Sequence, residues 1–236
     1  MSELLFGRMT GPFDTVIVAM SVVGTLAMCG ALAFLARRHE LGWWLVTGSF
    51  LFSGLSTLLS LLTTGAPTPQ SLILFAIGAL IPMVLGIGLG FYGLLSFQKF
   101  PLTAPRTRGI TLHRFSASTI LAPLAMAAVF ALASLIPVVS LRVAYGEGMQ
   151  LSLGLLLMSL ISGFLLGLLP AGLLGLAHRS RWAWLLIAVS ALASIGATVL
   201  TARGSVLIFL FFAMAVLAFF GWGRWGSIPA KKPSRS

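Results

Sequence analysis

Apolar residues fill this chain in seven long runs, roughly 13–36, 43–64, 71–97, 118–141, 150–177, 182–202 and 205–223. Each run is close to or above the ~20 residues that an α-helix needs to cross about 30 Å of hydrocarbon. Period-two alternation, the mark of a barrel strand, is missing, and Leu, Ala, Gly and Met dominate the runs. Helices are therefore what satisfies the backbone in lipid. The expectation is an all-α integral membrane protein with seven transmembrane helices. Polar side chains inside the runs are few, and one set is ordered: Ser49, Ser53 and Thr57 recur every fourth position within WWLVTGSFLFSGLST. The same W-x5-S-x3-S-x3-T spacing returns at Trp184 with Ser190, Ser194 and Thr198.

That second occurrence belongs to a longer match. A shift of 141 places residues 35–60 on 176–201 without a gap, with ten of 26 positions identical, among them Arg38/Arg179, Trp43/Trp184, Ser49/Ser190, Ser53/Ser194 and Thr57/Thr198. Leu and Ala matches are cheap in such a composition; Arg, Trp, Ser and Thr matches are not. The third and seventh runs also end alike, FYGLLSF at 91–97 against FFGWGRW at 219–225, after a length change of 13 residues. Runs one to three thus resemble runs five to seven, and the fourth is a connector. One intervening helix restores the original direction, so the two three-helix repeats are expected to be parallel. The organisation that follows is a first repeat over 13–97, a loop and linker helix over 98–141, a second repeat over 150–225, and a disordered basic tail over 226–236.

Composition agrees with membrane residence: 58% of the 236 residues are hydrophobic, 8% are charged, and the mean hydropathy is +1.07. The net charge of +11 suggests nucleic acid until its placement is considered. Twelve of the 15 Lys and Arg fall in 37–42, 98–117, 178–181 and the tail from 224, which alternate topology puts on one side. Only Arg8, Arg142 and Arg203 fall on the other. This is the positive-inside pattern: amino terminus outside, basic tail in the cytoplasm against anionic headgroups, in the cell (inner) membrane, with no nucleic-acid partner. Ala31, Leu32 and Ala33 imitate a signal-peptide cleavage site, but Glu3 and Asp14 outweigh Arg8 where such a peptide is positive, so the first run is expected to stay as a span. The single cysteine, Cys29, has no intrachain partner for a disulfide.

Chemistry is sparse. His39, His113 and His178 stand beside arginines with no metal-ligand spacing, no G-x-S-x-G setting exists, and, with Asp14 at the outer edge of the first run, no acidic or basic residue lies deep in a run to relay protons or bind sodium. Neither an enzyme, a metal nor a cofactor is expected. The hydroxyl stripes have two readings. They line a translocation path on a pseudo-twofold axis, where weak contacts at several sites let a solute leave as readily as it enters. Alternatively they are packing devices, each hydroxyl bonded to the carbonyl four residues back and each small residue letting helices approach. Trp43, Trp182 and Trp184 either stack on a planar solute at the path's mouth or, with Trp44, anchor the interface. Pro82, Pro137 and Pro170 kink spans three, four and five and serve as hinges or as fixed bends. Glycines such as Gly86, Gly88, Gly90, Gly163 and Gly167 suggest close helix contact rather than a nucleotide loop.

A 3+1+3 chain with Leu35, Ala36, Arg37 and Arg38, then Trp43 and Trp44 at the first junction, Trp182 and Trp184 opening the sixth span, and Gly221, Trp222 and Trp225 closing the seventh is similar to the SWEET sugar facilitators. It resembles more closely the Pnu family of bacterial nicotinamide riboside and nucleoside transporters. The chain departs from that family in having no Asn and in spacing Trp182 and Trp184 two apart rather than three. The resemblance implies facilitated diffusion of a small, neutral, ring-bearing solute by alternating access, and the stripe reading puts Trp43, Ser49, Ser53, Thr57, Trp182, Trp184, Ser190, Ser194 and Thr198 along the path. The bilayer and the solute are the expected partners, and self-association stays open. The competing reading is a non-transporting membrane subunit or scaffold that keeps the duplicated unit for packing alone.

Overall fold

The computed structural model describes residues 14–64, 69–99, 117–136, 138–139, 152–200 and 205–226. The basic tail from 227, most of the 98–117 segment and Pro137 lie outside them. Seven helices result: α1 Asp14–Ala36, α2 Leu41–Thr64, α3 Pro69–Lys99, α4 Ala117–Ala133, α5 Leu153–Ala177, α6 Ala183–Leu200 and α7 Ser205–Gly226. Five of them, α1, α2, α3, α5 and α7, are long and apolar enough to cross a membrane by length and composition. The other two are shorter apolar helices. α6, at 18 residues, rises about 27 Å. α4 stops near Ser134, whose hydroxyl turns back onto the Ala131 carbonyl at 2.6 Å. Its internal proline is Pro123, and α3 and α5 carry Pro82 and Pro170 as the sequence suggests.

The α1–α2 and α5–α6 turns are built alike. In the first, the Arg38 amide donates to Leu35 O at 2.9 Å and the His39 amide to Phe34 O at 2.9 Å. In the second, Arg179 donates to Leu176 O at 2.8 Å and Ser180 to Gly175 O at 2.8 Å. This paired bonding is a Schellman closure, which puts one residue in the left-handed region and normally uses glycine there. Here the residue is arginine both times, Arg38 at φ 61° and Arg179 at φ 63°, at a cost of about 1–2 kcal/mol each.

Among the described residues each helix packs mainly on its neighbours in a ring α1–α2–α3–α5–α6–α7 that closes back on α1, and α4 lies outside the ring on α5 and the edge of α3. The carboxyl ends of α1, α3, α5 and α7 and the amino ends of α2 and α6 meet at one end of the molecule. Trp225 Nε1 donates to Leu35 O at 3.3 Å, Ser96 Oγ to Ala177 O at 2.9 Å, and Arg181 Nε to Trp222 O at 3.0 Å. With Arg37, Arg38, Arg179, Arg181 and Arg224 gathered here, this is the arginine end.

The main core lies in the half beside the arginine end. Its largest side chains include Trp43, Val46, Leu32, Leu35, Leu173, Trp184 and Ile187, with Leu176 beside them. In lipid their burial gains little hydrophobic free energy, because the tails outside are as apolar as leucine; fit decides. The α2–α3 seam shows how. Large residues of α2 sit over glycines of α3, Trp43 over Gly93, Thr47 over Gly90 and Phe50 over Gly86, and the order reverses where Met83 of α3 fills the space over Gly54. At the α6–α7 seam Trp184 sits over Gly221. Farther from the arginine end the α1–α2 seam is polar: Ser56 Oγ lies 2.7 Å from Ser21 Oγ and 3.1 Å from Ile17 O.

Candidate functional site

On the side of the core away from the arginine end, a cleft of about 280 Å³ opens between α2, α3, α4 and α5. α2 contributes Phe50, Ser53, Gly54 and Thr57, and α3 contributes Pro82 and Met83. Phe130 and Ser134 come from the end of α4, and Gly163, Leu166 and Pro170 from α5. No lining residue carries a charge. The two kink prolines, far apart in sequence, face the same space. Polar chemistry there is limited to hydroxyls. Thr57 Oγ1 donates to Ser53 O at 2.9 Å. Ser159 Oγ donates to Ser134 O at 2.8 Å, and the Ser134 hydroxyl, whose one proton is shared between Ala131 O and Ser159 O, lies 2.8 Å from the latter, a clasp of α4 on α5. The Ser53 hydroxyl has no intramolecular partner among the described residues.

The sequence-singled residues divide. Ser53 and Thr57 reach the cleft, and Ser49, one turn nearer the arginine end, is buried. The α6 stripe lies elsewhere: Ser190, Ser194 and Thr198 are buried, and α6 packs on α5 and α7 rather than on α2. Thr198 Oγ1 donates to Ser194 O at 2.7 Å, Ser194 Oγ to Ser190 O at 2.9 Å, and Ser190 Oγ to Leu166 O of α5 at 3.4 Å. On α6, then, two of the three hydroxyls close on their own helix and the third on α5. Trp43 and Trp184 are interior, and Trp182 is half exposed beside them in chain order. α4's part was not legible, since a helix without a repeat mate gives no signal beyond hydropathy; Gly163 was visible as a close-contact glycine but not as cleft wall.

Three indole nitrogens, those of Trp43, Trp184 and Trp222, are buried without a hydrogen-bond partner. A buried unpaired donor costs about 1–3 kcal/mol, so the ring and not the N–H holds Trp43 and Trp184 in place. Replacing either by Phe is expected to change the unfolding midpoint little, whereas Trp184→Ala loses about 3–5 kcal/mol; thermal melts of the single variants in one detergent compare the two. Among the described residues no three His, Cys, Asp or Glu converge as a metal set, and the Cys29 thiol donates to Leu210 O at 3.5 Å, tying α1 to α7. No protein-family model, curated protein or solved structure matches the chain.

Proposed function

We propose that this membrane-embedded helical protein is a facilitator for a small, neutral, ring-bearing solute of the nicotinamide riboside or nucleoside kind. It works by alternating access between two like three-helix units, α1–α3 and α5–α7, joined by α4. The observation that carries the reading is the cleft: it is free of charge, apolar with a few hydroxyls, and blocked toward the arginine end by a layer of large side chains. At about 280 Å³ it sits near the lower end of ligand pockets, roughly 300–1,000 Å³. An uncharged lining suits a solute that carries no charge, because an unpaired ion there would lose its hydration without compensation.

Like behaviour at matched positions supports the two-unit reading. Under the 141 shift Arg38 and Arg179 share the left-handed turn, Trp43 and Trp184 each cover a glycine of the following helix, and both indoles lack a partner. Leu32 falls on Leu173, Leu35 on Leu176 and Val46 on Ile187, all buried. The neighbour ring maps onto itself as well, α1–α2 onto α5–α6, α2–α3 onto α6–α7, and α3–α5 onto α7–α1. The blocking layer is thus drawn from both units, as a gate that opens by their relative rocking requires, with the arginine end cytoplasmic and Pro82 and Pro170 as bends beside the cleft.

Uptake of labelled nicotinamide riboside and nucleosides by liposomes carrying the purified protein tests this. Wild type is expected to equilibrate at least one of them, and Ser53→Leu, which fills the cleft from α2, to cut the initial rate more than tenfold while the protein still melts cooperatively. No movement of any of them by wild type, together with stoichiometric copurification of another membrane protein, overturns transport in favour of the subunit reading.

A further inference from the structure

We propose that the α1–α2 and α5–α6 turns are paired seats for the phosphate of an anionic phospholipid, one made by Arg37 and Arg38, the other by Arg179 and Arg181. Both turns adopt a closure for which glycine is the unstrained choice, and both place arginine at the left-handed position. Service to the helix dipole does not account for that, because a cation anywhere in the last helical turn serves it equally, and the last turns of α1 and α5 hold none. The cations stand one step beyond, on the turn itself, Arg37 and Arg181 exposed and Arg38 and Arg179 half-buried.

Their depth fits a headgroup. Trp44 and Trp182, in or just before the first turns of α2 and α6, are 52% and 51% exposed, the placement of an interfacial aromatic belt. One guanidinium of each seat is also held rather than free. Arg181 lies over the Trp222 ring at 4.7 Å while its Nε bonds Trp222 O at 3.0 Å, and Arg38 lies 6.0 Å from the Trp225 ring. A planar guanidinium fixed on an aromatic platform has the fork geometry that suits phosphate oxygens and loses less freedom on binding than a loose lysine. The occupant is lipid-borne phosphate because the turns lie where the headgroups lie.

The test uses the full chain in phosphatidylcholine nanodiscs with and without phosphatidylglycerol, read by tryptophan-fluorescence melting and by native mass spectrometry of retained lipid. Wild type is expected to melt higher and to keep phosphatidylglycerol when that lipid is present. Arg38→Gly with Arg179→Gly should melt no lower than wild type in phosphatidylcholine, yet lose more than half of the phosphatidylglycerol-dependent rise. Lys231→Gln with Lys232→Gln removes the same charge from the tail and should keep the rise. An equal loss in both double variants, a rise that survives Arg→Gly, or the same rise with inorganic phosphate in phosphatidylcholine discs overturns the proposal.

Discussion

Adding a single methyl group at Gly93 or Gly221 is expected to destabilise the protein by about 1–3 kcal/mol, the usual range for overpacking a fitted core. The same change at Gly88 or Gly223 is expected to cost nothing. All four are helical glycines, so helix propensity alone favours alanine by about 1 kcal/mol at every one of them. Contact separates them. A Cβ on Gly221 would lie 2.6 Å from Trp184 Cε2 and 2.7 Å from the next ring atoms, and one on Gly93 would overlap the Trp43 ring, whereas nothing lies within 4 Å at Gly88 or Gly223. The indoles cannot swing aside, since Trp43 and Trp184 are 1% and 0% exposed. Ala and Val replacements, followed by thermal melting in one detergent, give the order: Val worse than Ala at 93 and 221, both near or above wild type at 88 and 223. Pairing Gly221→Ala with Trp184→Leu should recover part of the loss, with a coupling of about 0.5–3 kcal/mol. Additive losses would mean that the ring and the glycine do not bear on each other, and the account of the α6–α7 seam would fail.

Those glycines also mark where the sequence stopped being readable. Hydropathy located the helices well: the runs at 13–36, 43–64 and 205–223 became Asp14–Ala36, Leu41–Thr64 and Ser205–Gly226. It did not give the order in which they pack. In a soluble bundle the apolar stripe says which face turns inward, but here the outward faces are apolar too, as exposed Leu95, Phe209 and Phe212 illustrate. The period is therefore blurred, and only size and polarity carry information. The Trp–Gly pairs were not legible from the sequence: Trp43 and Trp184 read as interface anchors or stackers, and only the structure shows each ring over a glycine of the next helix. The hydroxyls were legible in part. Ser49, Ser53 and Thr57 share a stripe that turns by about 40° per step, enough to take Ser53 and Thr57 to the cleft while Ser49 is buried. The α6 stripe, alike in sequence, faces its own ring neighbours, with Ser194 and Thr198 closing on carbonyls of their own helix and Ser190 on Leu166 O of α5. The fourth run, 118–141, gave a helix over Ala117–Ala133 with Pro123 inside it; hydropathy alone could not mark the Ser134 hydroxyl's return to the backbone.

Ser53, placed as cysteine in a Cys29→Ser background, is expected to react with a membrane-impermeant maleimide from the side away from the arginine end at least about tenfold faster than from the arginine side. The cleft holds Ser53 in its wall, and on the proposed reading a route from there to the arginine end would have to part Leu32, Leu35, Trp43, Val46, Leu173, Trp184 and Ile187, each under 2% exposed. A reagent approaching from that side must wait for the layer to part. If the alternative opening lies a few kcal/mol above the one described here, it is populated at about 0.1–10%, and the labelling rate falls by that fraction. The layer itself can be tested by thinning it: Trp43→Leu together with Trp184→Leu, in a protein that still melts cooperatively, should bring the two rates together, while Ala191→Cys, buried on α6 at 1% exposure, should stay unreactive from both sides. Reconstituted vesicles of fixed orientation, labelled from one face at a time, give these rates directly. Equal slow labelling of Ser53→Cys from both sides would mean that the cleft faces lipid and not water, leaving the helices as a packing unit without a passage. Equal fast labelling would mean that the core is no barrier. Only the one-sided result fits two units that close at one end while they open at the other.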